Sequence, residues 1–478
     1  MLNLTDSIKG ELMKPVYFSC ALLACICQPG FAQLPDAQIS GASLNTQVID
    51  RQLDTVLRDV EDIAVQTQKN LEREALLDPL TQAVNSQLNA PLNALADVVP
   101  ILTRTGATAF VEVKVENGAR AVEREWVITL DLAELALLQP LHAEIIEKTT
   151  FAGLDMAVVR FRVAPEMDSL AALKKALPAH LHDQLDRNHI YAAQAIDKPG
   201  ANAAPQLRSL CSDSLKIGMI DTAINATHPA FSNSQIVARD FLAETFDAPR
   251  AHGTAVAGLL VGAGALTGAN TLFQPLLPKA TLYAASVFYP RNQYSQGATM
   301  IDLVRALNWL VGEKVSVINM SLAGPDNQVL HRVIAKVVQT GNAVVAAAGN
   351  EGPAAPPVYP AAYPDVIAVT AVDREQRIYR WANRGDYIDF AALGVSVTTA
   401  RSSGGFGRET GTSIAAPIVS AFVACELVQK IALDNLLERL TAHTIDLGEP
   451  GRDPVFGLGM LDATQKRALN SSDARVSE

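Results

Sequence analysis

The chain has 478 residues, 49% of them hydrophobic and 19% charged, a balance of folded globular chains that excludes a disordered one. A net charge of −11 argues against a nucleic-acid or anionic-membrane partner. The length is too great for one ordinary domain, so two or more folded units are expected.

At the N-terminus, Lys14 precedes the apolar run PVYFSCALLACIC and then Gln28-Pro29-Gly30-Phe31-Ala32. The run is too short to span a bilayer, and small residues stand at the third and first positions before a cut after Ala32. Residues 1–32 therefore read as a secretory signal, with Met13 an alternative start. The expected location is secreted or periplasmic, with no transmembrane helix in the mature chain. A lipoprotein acylated at Cys25 is the weaker reading. Cys20, Cys25 and Cys27 fall inside the signal, leaving Cys211 and Cys425. These two are either a disulfide or two free thiols, with Cys425 buried in a helix.

Residues 33–118 read as helical, with Ile49, Leu53, Val56, Val60 and Ile63 forming a short heptad seam. From 119 to 195 the pattern is strand, helix, strand, helix, strand. The segments are REWVITLDL, ELALLQPLHAEI, MAVVRFRVAP, DSLAALKKALPAHL and HIYAA, which together make a compact α+β domain. The stretch 196–212 is Ala-, Pro- and Gly-rich and reads as a linker.

Residues 213–466 form one further domain, followed by a polar tail, 467–478. Here apolar strand-like runs (TLYAASV, VSVINMS, AVVAAA, VIAVTAV) alternate with helical ones, which implies a parallel sheet covered on both faces. The segment NQVLHRVIAKVVQTG puts Val329, Val333 and Val337, with Leu330, Ile334 and Val338, on one helix face and stops at Gly341.

Four motifs carry chemistry. KIGMID is a buried strand that ends in Asp221, at the carboxyl end where α/β sheets build their sites. AHGTAVAGLLVG places His252 on the first turn of a helix. GTSIAAP does the same for Ser413, with Pro417 expected near the helix start. A serine hydroxyl needs a base to take its proton and a carboxylate to orient that base. AAAGN ends in Asn350, after a strand.

The chain order Asp, His, Ser, with these four motifs, resembles the subtilisin-like serine endopeptidases over roughly residues 210–465. The resemblance implies an α/β fold, a parallel sheet flanked by helices, preceded by a small α+β prodomain and a helical N-terminal region. It also implies peptide hydrolysis through an acyl-enzyme. Ser413 would be the nucleophile, His252 the base, Asp221 its orienter, and Asn350 the oxyanion donor with the Ser413 backbone N–H. Ser321, Leu322, Ala323 and Gly324 would pair with substrate backbone, and Ala347, Ala348 and Gly349 would form the opposite pocket wall. Glu351 is either a charge near the pocket floor or a solvated loop residue. Ala255 and Ala223 stand where relatives often have His and Gly, and Ala223 then calls for a negative φ.

Partners implied are protein or peptide substrates and the chain's own 119–195 segment as a zymogen prodomain. No cofactor is required, and structural Ca²⁺, common among relatives, finds no contiguous acidic loop here. A catalytically idle binding module of the same fold is the alternative. An α/β-hydrolase esterase is disfavoured, because GTSIA lacks the G-x-S-x-G elbow.

Overall fold

The computed structural model describes residues 97–193, 206–243, 245–265, 272–291 and 295–465, all within one compact unit. The signal segment 1–32, the heptad seam, residues 194–205 and the tail lie outside the described residues.

The first elements are a hairpin of β1 (Val98–Leu102) and β2 (Thr108–Lys114). This corrects the helical reading of 33–118 for its last part. TAFVEVK alternates along a β-branched run, which suits a strand rather than a helix. Four antiparallel strands follow: β3 (Arg120–Thr129), β4 (Glu144–Phe151), β5 (Met156–Arg162) and β6 (Leu185–Ala193), side by side in the order β4-β5-β3-β6. Helix α1 (Leu170–Ala176), capped by Ser169, packs below them. Trp126, Ile128, Phe161, Leu173 and Leu181 form the core. The expected helix in ELALLQPLHAEI is instead a 3-10 run over Leu132–Leu141, because Pro140 supplies no N–H to extend an α-helix. The β-branched EIIEKTTF after it is β4, a strand the sequence reading did not separate.

The second half begins with β7 (Lys216–Asp221), β8 (Gln235–Asp240), α2 (Ala251–Val261), and the short β9 (Gly264–Ala265) and β10 (Leu272–Phe273). Then come β11 (Thr281–Ser286), β12 (Tyr289–Pro290), β13 (Gln296–Thr299), α3 (Met300–Gly312), β14 (Val317–Met320), β15 (Leu322–Ala323) and α4 (Gln328–Gln339). The rest is β16 (Ala343–Ala347), β17 (Val366–Val372), β18 (Phe390–Leu393), β19 (Val397–Ala400), β20 (Phe406–Glu409), α5 (Thr412–Val428), α6 (Leu436–Thr441), β21 (Thr444–Ile445) and β22 (Met460–Leu461).

The central sheet runs β21-β22-β18-β17-β16-β14-β7-β11-β8 and is parallel apart from β21. Both faces are covered over its middle, so β16, β17 and β18 are buried along their whole length, while the edge strand β8 (QIVARD) is largely exposed. Val345, Ala347 and Met219 face α2 and α5, while Val344, Ala346 and Ile220 face α3 and α4. In α4 the buried residues are Val329, Leu330, Val333, Ile334 and Val337, the expected face. Helix α5 is buried from Thr412 to Glu426, which explains its apolar composition on all sides.

Strand β6 joins the two halves. It pairs with β3, then with β13 through Ile190 and Tyr191, and with β15 through Ala192 and Ala193. The 206–212 end of the expected linker is laid along the second half. Leu207 and Leu210 are buried, and the Arg208 and Leu210 amides donate to Ala463 and Leu276. Cys211 and Cys425 form a disulfide that ties this segment to the end of α5. Replacing both cysteines by serine should lower unfolding free energy by about 2–4 kcal/mol, read from equilibrium denaturant titrations. An unchanged midpoint would show that the crosslink adds nothing to stability.

Candidate active site

Asp221 ends β7 and is buried at the carboxyl edge of the sheet. Its two carboxylate oxygens lie 2.8 and 2.9 Å from Nδ1 of His252, the second residue of α2. The Thr222 amide donates to the same carboxylate at 2.6 Å. A carboxylate can only accept here, so His252 Nδ1 carries the proton and Nε2 is left as the basic nitrogen.

Gly253 allows this approach. A Cβ on it would lie 2.3 Å from the Thr222 carbonyl oxygen, and its amide donates to Thr222 Oγ1 at 2.7 Å. Ala255, in place of the second histidine of some relatives, is buried and its carbonyl accepts from Thr399. Ala223 is absent from the positive-φ residues, as expected.

Ser413 is the second residue of α5, which packs against α2. Pro417 sits at the sixth position of α5, further in than expected. Its missing N–H leaves the Ser413 carbonyl without a helical partner, and Ser321 Oγ donates to that oxygen at 2.9 Å. Ser321 Oγ accepts from Asn319, and Ser420 donates back to Asn319, so a buried polar chain anchors the start of α5 to β14. The Ser413 hydroxyl and His252 Nε2 are both buried, and neither has a hydrogen-bond partner among the described residues. Catalytic hydrogen bonds often tighten only with substrate bound.

Asn350 follows β16. Its Oδ1 accepts from both the amide and the hydroxyl of Thr412 at 3.0 Å, which fixes the amide plane and turns the NH₂ end away from Thr412. Gly349 has φ +108°, and its amide donates to Thr412 Oγ1. Thr412 thus positions the Asn350 side chain, a role that sequence reasoning missed although GTS contains the residue.

The expected substrate strand is divided. β14 belongs to the parallel sheet, the Ser321 side chain turns inward to Ser413, and Leu322 and Ala323 pair antiparallel with β6. Gly324 bridges Tyr359 and lies against the Tyr191 ring, where a Cβ would come within 2.3 Å. On the opposite wall, Ala347 and Ala348 are buried, and the Ala348 carbonyl accepts from Tyr387 Oη at 2.9 Å. Glu351 is exposed, and its amide donates to Asn383. Among the described residues no three His, Cys, Asp or Glu side chains are grouped to hold a metal, and no helix is long and apolar enough to cross a membrane.

Burial alone would push His252 down, but the Asp221 charge and hydrogen bond, with Glu409 adding to them, raise its pKa above the ordinary histidine value. Glu409, on β20, is itself raised by burial against the opposing charges of Arg401 and His252. No sequence signal marked it, since only the β19–β20 hairpin brings it toward α2.

A parallel α/β sheet with an Asp–His pair and a serine on a buried helix at its carboxyl edge defines the subtilisin-like class. Residues 212–459 match the Subtilase family, and the chain belongs to that family. It is 29% identical over 255 residues to the minor extracellular protease Epr of Bacillus subtilis (strain 168), covering 53% of this chain and 38% of that one. To subtilisin E of the same strain it is 33% identical over 271 residues, covering 54% of this chain and 68% of the relative. The fold is similar to that of fervidolysin from Fervidobacterium pennivorans, described as a keratinolytic enzyme related to subtilisin. The TM-score is 0.58 at 17% identity, over 79% of this chain and 64% of the other. The chain thus spans little more than a third of the first of these relatives.

Replacing Glu409 by Gln removes one of the two carboxylates that raise His252, and leaves Asp221. The His252 pKa should fall, so the acid limb of the kcat/KM profile should move to lower pH. A limb that stays in place would separate Glu409 from the base.

Proposed function

We propose that this chain is a serine endopeptidase acting outside the cytoplasm. The Asp221–His252 pair, with Ser413 at the start of a buried helix that packs against the helix of His252, carries the reading. Ser413 Oγ attacks the peptide carbonyl and passes its proton to His252 Nε2. Asp221 holds the imidazole and stabilises the imidazolium. The oxyanion that forms is met by Asn350 Nδ2 and the Ser413 backbone N–H, at the positive end of α5. His252 then protonates the leaving amine, and water releases the acyl group by the same steps in reverse.

Substrate recognition is β-augmentation. The edges of β13 and β15 take up extended backbone in the way they take up Ile190 to Ala193 of β6. Tyr191 is fully buried, with its hydroxyl donating to Pro325 O, so the same position suits a large apolar or aromatic side chain of a substrate.

The domain of residues 119–195 is accordingly a prodomain whose own last strand occupies the cleft, and maturation cuts the connection to the catalytic domain. The disulfide between Cys211 and Cys425 supports an oxidising, exported setting, in agreement with the secretory signal read at residues 1–32.

The Ser413→Ala chain should lose proteolysis and labelling by a fluorophosphonate, fold normally, and accumulate uncut between 193 and 206. Asn350→Ala should lower kcat on the order of 10²–10³-fold with KM little changed, a size carried over from subtilisin itself. Labelling that persists without Ser413, or an unaltered kcat without Asn350, would remove that residue from the mechanism. A wild-type chain that takes no label would instead favour a binding module.

A further inference from the structure

The β1–β2 hairpin lies outside the four strands and α1 that build the core of the N-terminal domain, yet it makes a fully buried polar contact with the catalytic half. Glu112 of β2 has a side chain with 0% exposure. It accepts from Tyr289 Oη at 2.5 Å, from Arg291 Nε at 2.7 Å and from Arg120 Nε at 3.0 Å. The Arg120 and Arg291 side chains are 1% and 2% exposed, so these charge-assisted bonds are shielded from water and salt. Two of the three donors belong to the catalytic half. Arg291 also donates to the Gln296 carbonyl, at the first residue of β13, the strand that pairs with Tyr191.

A second grip lies beside the first. Phe110 of β2 meets Tyr289 and Phe246 edge-on, and the Arg104 amide, in the turn of the hairpin, donates to the Thr245 carbonyl at 2.8 Å. Phe246 belongs to the loop that leads into α2 and His252. The hairpin therefore holds one wall of the cleft and the approach to the base at once. Ile190 of β6 packs in the same cluster, but none of these hydrogen bonds and ring contacts is made by a residue of β6.

We propose that the β1–β2 hairpin is a clasp, with Glu112 as its lock, that keeps the N-terminal domain seated after the chain between 193 and 206 is cut. Cleavage alone then leaves the cleft occupied, and activity appears only when the clasp lets go. This rests on the reading of residues 119–195 as a domain that blocks the cleft, and the test separates the two.

The full chain carrying Ser413→Ala, with a recognition sequence for an unrelated specific protease placed within 194–205, is cut, and separation of the fragments is followed by size-exclusion chromatography. With the native hairpin the fragments should co-elute. Glu112→Ala and Tyr289→Phe should each separate at least about 10-fold faster, because one partner of a buried charged contact is lost. Tyr289→Phe keeps the ring packing and removes only the hydroxyl, so it reads the lock even where Glu112→Ala fails to fold. Fragments that part at once with the native hairpin, or at the same rate in Tyr289→Phe, overturn the clasp.

The chain with Ser413 intact is then cut and given a small peptide substrate. A lag that shortens in Tyr289→Phe supports the proposal. Immediate full turnover by fragments that still co-elute overturns the blocked cleft while leaving the clasp in place.

Discussion

A strand edge with unpaired N–H and C=O groups must find a partner, and the fold turns on how the edges of β13 and β15 find theirs. Here β6 provides it. The same nine residues begin in the core of the N-terminal domain, where Leu185 packs with Ile128 and Phe161, and end in the cleft at Ala193. Whatever chain lies on those edges must be extended and must present alternate side chains to the walls. The main-chain pairing that β6 satisfies is the same pairing that the proposed function assigns to a substrate.

The site is assembled by backbone groups that lost their ordinary partners. Pro417 deprives the Ser413 carbonyl of a helical bond, and the Ser321 hydroxyl restores it. That hydroxyl is drawn inward just where the chain leaves the parallel sheet as β14 and joins the other as β15. A single residue between two strands therefore couples the helix of Ser413 to the edge that pairs with β6. Thr412 does the same on the other side, holding Asn350 with its amide and hydroxyl while its Oγ1 accepts from Gly349.

Much of this was legible in the sequence. Asp221, His252, Ser413 and Asn350 each sit among small residues that let backbone approach, and the continuous apolar strands announce a sheet covered on both faces. Helix α4 could be read residue by residue, because an amphipathic surface helix writes its buried face into the 3.6-residue period. What stayed hidden depended on distant contacts. Glu112 falls in a stretch that reads as helical, and nothing local marks it as buried, because Arg291 is 179 residues away in sequence and close in space. Glu409 carries no mark in the sequence, because only the β19–β20 hairpin turns it toward His252. The 3-10 run before β4 was missed for a local reason, since the effect of Pro140 was outweighed by a helix-like composition. Cys211 and Cys425 left two readings open, because 214 residues of separation say nothing about proximity.

The two helices that face the N-terminal domain show why its last strand is held so firmly. The amide of Ile301, at the start of α3, donates to Asn188 Oδ1, and the amide of Gln328, at the start of α4, donates to Asp186 Oδ2. Asn327 caps α4 with its Oδ1 while its Nδ2 donates to the Arg187 carbonyl and to His189 Nδ1. Helix N-termini carry unsatisfied amides and a partial positive charge, so acceptors from β6 meet a need that water would otherwise fill. Arg187, on the same strand, is fixed from behind by Glu116 and Asp168 and stacks on Trp126. A strand anchored on one side by a buried arginine and on the other by two helix ends cannot leave the cleft one residue at a time. Freeing Tyr191 and its neighbours therefore requires the whole N-terminal domain to lift or unfold.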